Sequence, residues 1–328
     1  MSVSHNRFTD VIRYTSKELR EVLSKVPPEK IADIEEIRIR ANKPVIIQNY
    51  REDWFVDGRG CLTKNEKNAF VPGVDDIIKT LEIMSMNSIY VFQDDIRNGF
   101  ITLPGGHRVG IAGKTVIENG KVINMKNISS LNIRISREVK GCSLKIIKYI
   151  LGKRNEPLNT LIISPPQCGK TTMLRDITRN LSNGIKEMGF SGVKVGLIDE
   201  RSEIAACYNG IPQFDVGIRT DVLDSCPKSI GMIMMVRSMS PQVIVTDEIG
   251  NQGDRDSIVS ILNAGVKIIA SAHGFNISEL KSRHEILSLI ENRLLDRYVV
   301  LSNVNGPGTI EEIIDGSNME IIYKRNRM

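Results

Sequence analysis

A chain of 328 residues, 41% hydrophobic and 25% charged, has room for two domains and the composition of a water-soluble globular protein. It contains no run of 18 apolar residues and begins with a polar, charged segment, so the sequence predicts neither a membrane span nor a secretory signal, and we expect a cytoplasmic protein. The net charge is +5, and residues 1–150 carry 24 basic against 18 acidic side chains while residues 151–328 carry 20 against 21, so the basic excess lies in the first part.

The first part of the chain predicts a small α+β domain. Residues 11–26 (VIRYTSKELREVLSKV) have the apolar spacing of a helix, and Ile37 and Ile39 then alternate with arginines as in a half-buried strand. Residues 99–125 indicate short strands with glycine turns. A second alternating strand follows, with inward side chains at Leu131, Ile133 and Ile135. The open face of this sheet would carry Arg38, Arg40 and Arg134.

The pattern changes around residues 140–158, which predict a helix followed by a charged, proline-containing connection. We therefore expect one domain over residues 1–145 and a second over residues 146–328. Residues 297–323 alternate around NGPG and DGS turns and predict an antiparallel tail. Before this tail come four apolar runs, separated by helical stretches, that are typical of a parallel sheet buried on both faces: TLIIS (160–164), KVGLID (194–199), QVIVTD (242–247) and VKIIASA (266–272).

A phosphate-binding loop is predicted between the first apolar run and the helix after it. The pattern GxxxxGK[S/T] is met except that Ser164 replaces the first glycine. That position only begins the turn, whereas Gly169 must let the backbone approach a phosphate closely. We therefore predict that the loop binds ATP through Ser164, Pro165, Pro166, Gln167, Cys168, Gly169, Lys170, Thr171 and Thr172.

Side chains of this loop and of the following strands predict the chemistry. Lys170 would reach the β- and γ-phosphate oxygens, and Thr171 would ligate Mg²⁺. The run QVIVTDE ends in two carboxylates, Asp247 to hold the metal and Glu248 to polarise the attacking water. His273 ends the next run, at the strand edge where parallel sheets bind ligands, and would contact the γ-phosphate.

Two further roles stay open at the level of sequence. Glu200 either shares the water-activating role with Glu248 or belongs to a structural ion network with its neighbours Asp199, Arg201 and Glu203. Arg237, Arg108 or Arg134 would approach the nucleotide as the two domains close, and which arginine acts on the γ-phosphate of a neighbouring subunit stays open. The five cysteines are widely spaced and odd in number, which predicts reduced thiols and neither a disulfide framework nor a zinc site.

The whole chain resembles the stage III sporulation AA family of endospore-forming bacteria and, beyond it, the type II/IV secretion and pilus-motor ATPases. The Ser-Pro-Pro start of the loop is similar to the form found in that family. The resemblance implies an α/β fold, a RecA-type P-loop ATPase domain with a mainly parallel sheet, preceded by a smaller α+β domain. It is carried by EEIRIRANKP, GHRVGIAGKTV, SPPQCGKTTMLRDITRNLS, GLIDERSEIAACYNGIPQFDVGIRTDVLDSCPK, VRSMSPQVIVTDEIG and RYVVLSNVNGPGTIEEI.

The resemblance to secretion ATPases also implies site roles. Asp247 departs from their pattern, because those motors commonly have glycine there, and the first histidine of their histidine box is absent. These departures leave open whether Glu248 or Glu200 is the catalytic base. The positions that match are Lys170 and Thr171 in the phosphate loop, residues 199–203 as the acidic box, Glu248 as the strand-end glutamate and His273 as the second box histidine.

The same resemblance implies a setting for the protein. It implies an ATPase that forms a ring, as a hexamer, with ATP between subunits. The ring would lie on the mother-cell face of the membrane around the forespore, held by integral membrane proteins of a sporulation channel.

Two rival functions use the same phosphate loop. A nucleic-acid-binding ATPase would use the basic first domain as a groove, but aromatic residues make up only 5% of the chain and do not interleave with the arginines, so the nucleic-acid signal is not strong. A nucleotide-gated scaffold would bind ATP with negligible turnover and release no phosphate.

Overall fold

The computed structural model describes residues 7–32, 34–86, 97 and 99–326, which fall into two compact units, Met1–Arg137 and Glu138–Met328. The division comes before residue 145 because the chain just after Arg137 is bound to the second unit. The Asp215 amide donates to the Glu138 carboxylate (2.8 Å), and the Gly141 amide donates to the Asp176 carboxylate (3.0 Å).

The first unit contains a seven-stranded antiparallel sheet in the order β4-β3-β2-β1-β7-β6-β5. Its strands are β1 (Glu36–Arg40), β2 (Ile46–Gln48), β3 (Asp53–Val56), β4 (Leu62–Thr63), β5 (Phe100–Leu103), β6 (His107–Glu118) and β7 (Lys121–Arg134). Its helices are α1 (Arg7–Ile12), α2 (Lys17–Leu23), α3 (Pro28–Ile31) and α4 (Val74–Met84), with a short 3₁₀ turn at Glu66–Asn68.

The alternating pattern of the first sheet is confirmed. Leu131 of β7 is 1% exposed, and Ile37, Ile39 and Ile133 are fully buried. Asn119 and Gly120 join β6 to β7 with positive φ angles of 50° and 74°, as a two-residue hairpin turn requires. The predicted arginine face has its charge partly compensated, since Arg38 pairs with the Glu36 carboxylate.

The single helix predicted over residues 11–26 is wrong, because the chain forms α1 and α2 with a break between them. Ser16 caps the second helix by accepting a hydrogen bond from the Leu19 amide (3.3 Å). Its hydroxyl also donates to Asp76 (2.7 Å), and its amide donates to Thr80 Oγ1 (2.9 Å). These contacts from α4 favour a capped helix start over a continuous helix.

The second unit contains an eight-stranded sheet in the order β10-β9-β11-β12-β8-β13-β14-β15. The first six strands are parallel, and they include β13 (Arg297–Ser302), which the sequence placed wrongly in the antiparallel tail and which pairs parallel with β8. Only β14 and β15 continue the sheet antiparallel, as predicted. The strands are β8 (Thr160–Ser164), β9 (Val195–Asp199), β10 (Thr220–Asp224), β11 (Val243–Thr246), β12 (Lys267–His273), β13 (Arg297–Ser302), β14 (Thr309–Asp315) and β15 (Ile321–Lys324). The helices are α5 (Leu144–Ile150), α6 (Lys170–Asn183), α7 (Lys228–Met239), α8 (Gln252–Asn263), α9 (Ile277–Leu280) and α10 (His284–Glu291), with a 3₁₀ turn at Lys186–Met188.

Helices cover both faces of the parallel strands, which is why these strands are continuous apolar runs. On one face, α5 and α6 contribute Ile147, Leu174 and Ile177 to a core with Ile162 and Leu197. On the other face, α7, α8 and α10 contribute to a core with β8, β11 and β12, including Met232, Ile258, Leu289, Leu161, Ile163, Ile244 and Ile268. The predicted α/β class with a mainly parallel sheet is confirmed.

The strand order decides where the site lies. Strand β12 lies between β8, which leads into the phosphate loop, and β11, which leads into the paired carboxylates. Because all three strands are parallel, their carboxyl ends meet at one edge of the sheet. His273 therefore stands between the loop and the carboxylates.

Candidate active site

The predicted phosphate loop accommodates a serine in place of the first glycine of the motif. Ser164 is the fully buried last residue of β8, where a serine is accommodated as readily as a glycine, and its hydroxyl donates to the Pro165 carbonyl (3.0 Å). Gly169 caps α6 with φ of 81°, a left-handed conformation that favours glycine. A Cβ at Gly169 would lie 3.0 Å from the Gly308 amide nitrogen, so glycine is required there on two grounds.

The turn before β14 packs against this loop and donates a hydrogen bond to it. The Gly308 amide donates to the Cys168 carbonyl (2.9 Å), and Pro307 lies against Gly169. Cys168 itself is buried, with 3% of its surface exposed. Beyond the loop, the first amides of α6 lack partners within the helix, as at any helix start, so they are available to an anion.

Lys170 begins α6 and lies in an ionic cluster with His273 and Glu248. Its Nζ lies 2.8 Å from His273 Nδ1 and 3.6 Å from Glu248 Oε1, and His273 Nε2 lies 2.8 Å from the same oxygen. Because an ammonium can only donate, Nδ1 accepts and Nε2 carries the proton that faces Glu248. Burial lowers the pKa of Lys170, and the Glu248 carboxylate opposes that shift.

Glu248 is held in an uncommon backbone conformation. Its φ is +32°, and its amide donates to the hydroxyl of Ser271 (3.0 Å), whose carbonyl accepts from the Ile249 amide (2.8 Å). The second carboxylate oxygen, Oε2, lies 2.8 Å from Arg201 Nη1. Strained backbone of this kind persists where the surroundings hold it, and it is found preferentially at functional sites.

Asp247 is a buried carboxylate whose geometry fits a cation. It is 4% exposed, and its Oδ1 has no hydrogen-bond partner among the described residues. Burial raises its pKa to about 6, and the Lys228 ammonium opposes this shift. The described residues contain no group of three or more His, Cys, Asp or Glu side chains suited to a metal. The unpartnered Asp247 oxygen suits Mg²⁺, which takes few protein ligands and keeps several waters and phosphate oxygens, and Thr171 in the first turn of α6 is the predicted second ligand.

Comparison with known proteins identifies the family. The sequence pattern of the family described as "Sporulation stage III, protein AA" matches residues 5–321. Stage III sporulation protein AA of Bacillus subtilis (strain 168) is 42% identical over 306 residues, which cover 93% of this chain and 94% of that protein. The chain belongs to the sporulation stage III, protein AA family.

Solved structures show the same fold outside this sporulation family. The Legionella pneumophila ATPase DotB superposes with a TM-score of 0.53 at 14% identity, over 86% of this chain and 77% of that one. The pilus retraction motor PilT, solved with bound ADP, superposes with a TM-score of 0.50 at 12% identity, over 83% and 75%. The chain therefore shares the fold of DotB and PilT. Within the described residues, no helix combines the length and the apolar character needed to cross a membrane.

Residues 199–203, which the resemblance predicts to be an acidic box, pair with several different partners. Glu200 pairs with the buried Lys228 ammonium, whereas Arg201 pairs with Glu248. Asp199 is fully buried and accepts hydrogen bonds from three backbone amides, those of Glu203, Ile204 and Ala205, at 2.8–3.0 Å. The structure thus places Glu200 in an ion pair with Lys228 and outside the cluster that contains Lys170.

The three predicted arginines are divided between the two units. Arg237 is exposed in the last turn of α7, whose first residue, Lys228, is at the site edge, so Arg237 lies towards the opposite edge of the sheet. Arg108 and Arg134 belong to the first unit, where they are direct neighbours across β6 and β7. A role for any of them at a neighbouring subunit's nucleotide stays a prediction.

Lys228 is the site residue that sequence reasoning missed. It is 7% exposed and pairs with Glu200, and its ammonium lowers the pKa of Asp247. One local signal was present, because a lysine in the first turn opposes the helix dipole, which favours acidic residues there. A lysine directly after Cys226-Pro227 at a helix start therefore indicates a partner from elsewhere in the fold.

Replacement of Asp247 by asparagine is expected to stabilise the nucleotide-free protein at high pH. The folded-state pKa of about 6 lies above the ordinary 3.8, so the carboxylate costs nothing below about pH 4 and its full cost appears above about pH 6. That cost is about 3 kcal/mol, which an uncharged amide avoids. Thermal unfolding at pH 8 should show Asp247→Asn to be the more stable protein, and at pH 4 the two should be alike.

The exposed Asp221→Asn is the matched control and should show no gain at pH 8. An Asp247→Asn protein that is less stable than the wild type at pH 8 would contradict the assignment of a buried, unpartnered carboxylate. The same variant is expected to lose Mg²⁺-dependent hydrolysis, so the gain in stability and the loss of function should appear together.

Proposed function

We propose that this chain binds Mg·ATP and hydrolyses it, as the ATPase of a sporulation-associated, secretion-like channel. The observation that carries the proposal is the convergence of Lys170, His273 and Glu248 within hydrogen-bond or ion-pair distance at the carboxyl edge of a parallel sheet. Beside them lies Asp247, with a buried oxygen that lacks a partner. A phosphate loop, a strand-end carboxylate pair and a histidine between them form a pocket suited to a triphosphate and its metal.

Each side chain has a role that its position supports. The loop amides and Lys170 bind the β- and γ-phosphates. Thr171 and Asp247 would hold Mg²⁺, which when bound shields the phosphate charge. Glu248 orients the attacking water and accepts its proton, and His273, between Lys170 and Glu248, contacts the γ-phosphate.

Glu200 is the alternative base, and its geometry supports a different role. Its carboxylate is paired with Lys228, whose ammonium lowers the pKa of Asp247, whereas Lys170 is paired with Glu248. We therefore assign Glu248 as the base and Glu200 as the partner that keeps Lys228 next to the metal ligand.

The proposed setting is a hexameric ring of copies with ATP between subunits, on the mother-cell face of the forespore envelope. Membership of the sporulation family supports a role in a sporulation channel. The fold shared with DotB and PilT supports assembly into a ring. The first domain would assist assembly and close over the nucleotide, and Arg108, Arg134 or Arg237 would supply the guanidinium in trans. Integral membrane proteins of the channel are the proposed partners.

The test is a phosphate-release assay of the purified chain with Mg·ATP and with ATP plus a chelator, together with light scattering under both conditions. We expect release that requires Mg²⁺ and a molar mass that rises towards a ring when Mg·ATP is present. Tight ATP binding without release would favour the nucleotide-gated scaffold. A monomer under all conditions would contradict the ring, and a steeply salt-dependent affinity for DNA or RNA would favour the nucleic-acid-binding ATPase.

A further inference from the structure

Arg201 contacts the Glu248 carboxylate through a different oxygen from the one that Lys170 and His273 contact. Its Nη1 lies 2.8 Å from Glu248 Oε2. The other oxygen, Oε1, faces His273 Nε2 at 2.8 Å and Lys170 Nζ at 3.6 Å. The two oxygens of one carboxylate are therefore held by different groups, and only one of those sides belongs to the predicted phosphate site.

This division matters when a triphosphate binds. Lys170 and His273 are the groups that a γ-phosphate would engage, so their contacts with Oε1 are the ones that binding changes. Arg201 lies on the outer side, with 56% of its side chain exposed against 19% for Glu248. Its contact with Oε2 can persist while Oε1 is freed to face a water.

The loop that carries Arg201 is anchored on both sides of it. Before it, Asp199 is fully buried and Glu200 is paired with Lys228. After it, the amides of Glu203, Ile204 and Ala205 all donate to the Asp199 carboxylate. The backbone at Arg201 is thus held in place by its neighbours, which limits the positions that its guanidinium can take next to Glu248.

We propose that Arg201 is a positioning residue for ATP hydrolysis, holding the Glu248 carboxylate through Oε2 so that Oε1 faces the attacking water. This inference rests on the proposed function. In that reaction the water oxygen bonds to the γ-phosphorus while the bond from that phosphorus to the oxygen of ADP breaks, and ADP leaves with the electron pair. Glu248 accepts the water proton and passes it to the phosphate product or to solvent.

The test measures phosphate release and ATP affinity for Arg201→Ala and Arg201→Lys. We expect kcat of Arg201→Ala to fall about 10- to 100-fold, because the base loses its orientation, with KM for ATP changed by less than about twofold. Arg201→Lys should recover part of kcat, since an ammonium still donates to a carboxylate. An exposed ion pair adds little stability, so both variants should fold with an unchanged Tm.

A double-mutant cycle separates positioning from other roles. If Arg201 acts through Glu248, adding Arg201→Ala to Glu248→Gln should lower single-turnover phosphate release by no more than about twofold. Arg154, exposed in the connection before β8, provides the matched control, and Arg154→Ala should behave as the wild type.

Three results would overturn the inference while the wild type hydrolyses ATP. These are an Arg201→Ala protein with wild-type kcat, a raised KM with unchanged kcat, and a full multiplicative loss on the Glu248→Gln background. A wild-type chain that releases no phosphate would instead overturn the proposed function and this inference together.

Discussion

Glu248→Gln is expected to bind Mg·ATP and to release phosphate about 10²- to 10⁴-fold more slowly than the wild type, the range that a general base contributes. Glutamine has the same size, and its amide oxygen can still accept a hydrogen bond from Arg201, so the fold should be retained. It cannot accept a proton at neutral pH, so the attacking water stays unactivated. Phosphate release and equilibrium binding of a fluorescent ATP analogue, measured on the same preparation, separate these two effects.

Glu200→Gln is the informative comparison for this variant. Because Glu200 pairs with Lys228 and not with Lys170 or His273, we expect its replacement to lower hydrolysis less than Glu248→Gln does. The reverse ranking would transfer the base role to Glu200. Equal phosphate release by wild type and Glu248→Gln, with ATP bound in both, would support the scaffold.

The parallel sheet and the cluster of Lys170, His273 and Glu248 could be predicted from local sequence. Continuous apolar runs indicate strands buried on both faces, and the carboxyl ends of such strands meet at one edge. Lys170, Glu248 and His273 each follow or end such a run, so their convergence required no knowledge of side-chain packing. Strand β12 lies between β8 and β11, which explains why His273 at its end contacts both Lys170 and Glu248.

Contacts that depend on tertiary placement could not be read in the same way. Arg201 and Glu200 are adjacent in sequence but pair with different elements, one with Glu248 and the other with Lys228 of α7. Gly308 contacts the phosphate loop from more than a hundred residues away. No periodicity along the chain encodes such pairings, because they arise from how loops at one sheet edge fit together.

Two secondary-structure elements differ from the sequence-based expectation, one because it lies at the sheet edge and one because a helix cap divides it. Strand β10 was not predicted, because TDVLD lies at the sheet edge, where its half-buried and exposed side chains give no apolar run. The helix expected over residues 11–26 divides at Ser16, whose partners Asp76 and Thr80 lie in α4. In both places a contact or position distant in sequence outweighed the local pattern.

Lys170→Ala is expected to weaken ATP binding and also to slow hydrolysis at saturating ATP, because the ammonium would meet charge that develops on the γ-phosphate. Lys170 is 7% exposed, and its ammonium is the buried cation of the phosphate loop. A charge-assisted hydrogen bond contributes about 1.5–3 kcal/mol, so its loss should raise Kd for ATP roughly 10- to 150-fold. The measurement is titration of the fluorescent ATP analogue, with phosphate release at saturating ATP as the second readout.

This variant also tests whether the site forms one pocket. Without Lys170, Glu248 keeps Arg201 and His273 as partners, so the protein should stay folded, and its Tm in the absence of nucleotide should change little. Lys194→Ala, which removes an exposed lysine at the opposite edge of the sheet, is the matched control and should bind ATP as the wild type does. Because Lys170, His273 and Glu248 are in mutual contact, a Lys170→Ala protein with wild-type hydrolysis would mean that phosphate binds elsewhere, and the roles assigned to all three would fail together.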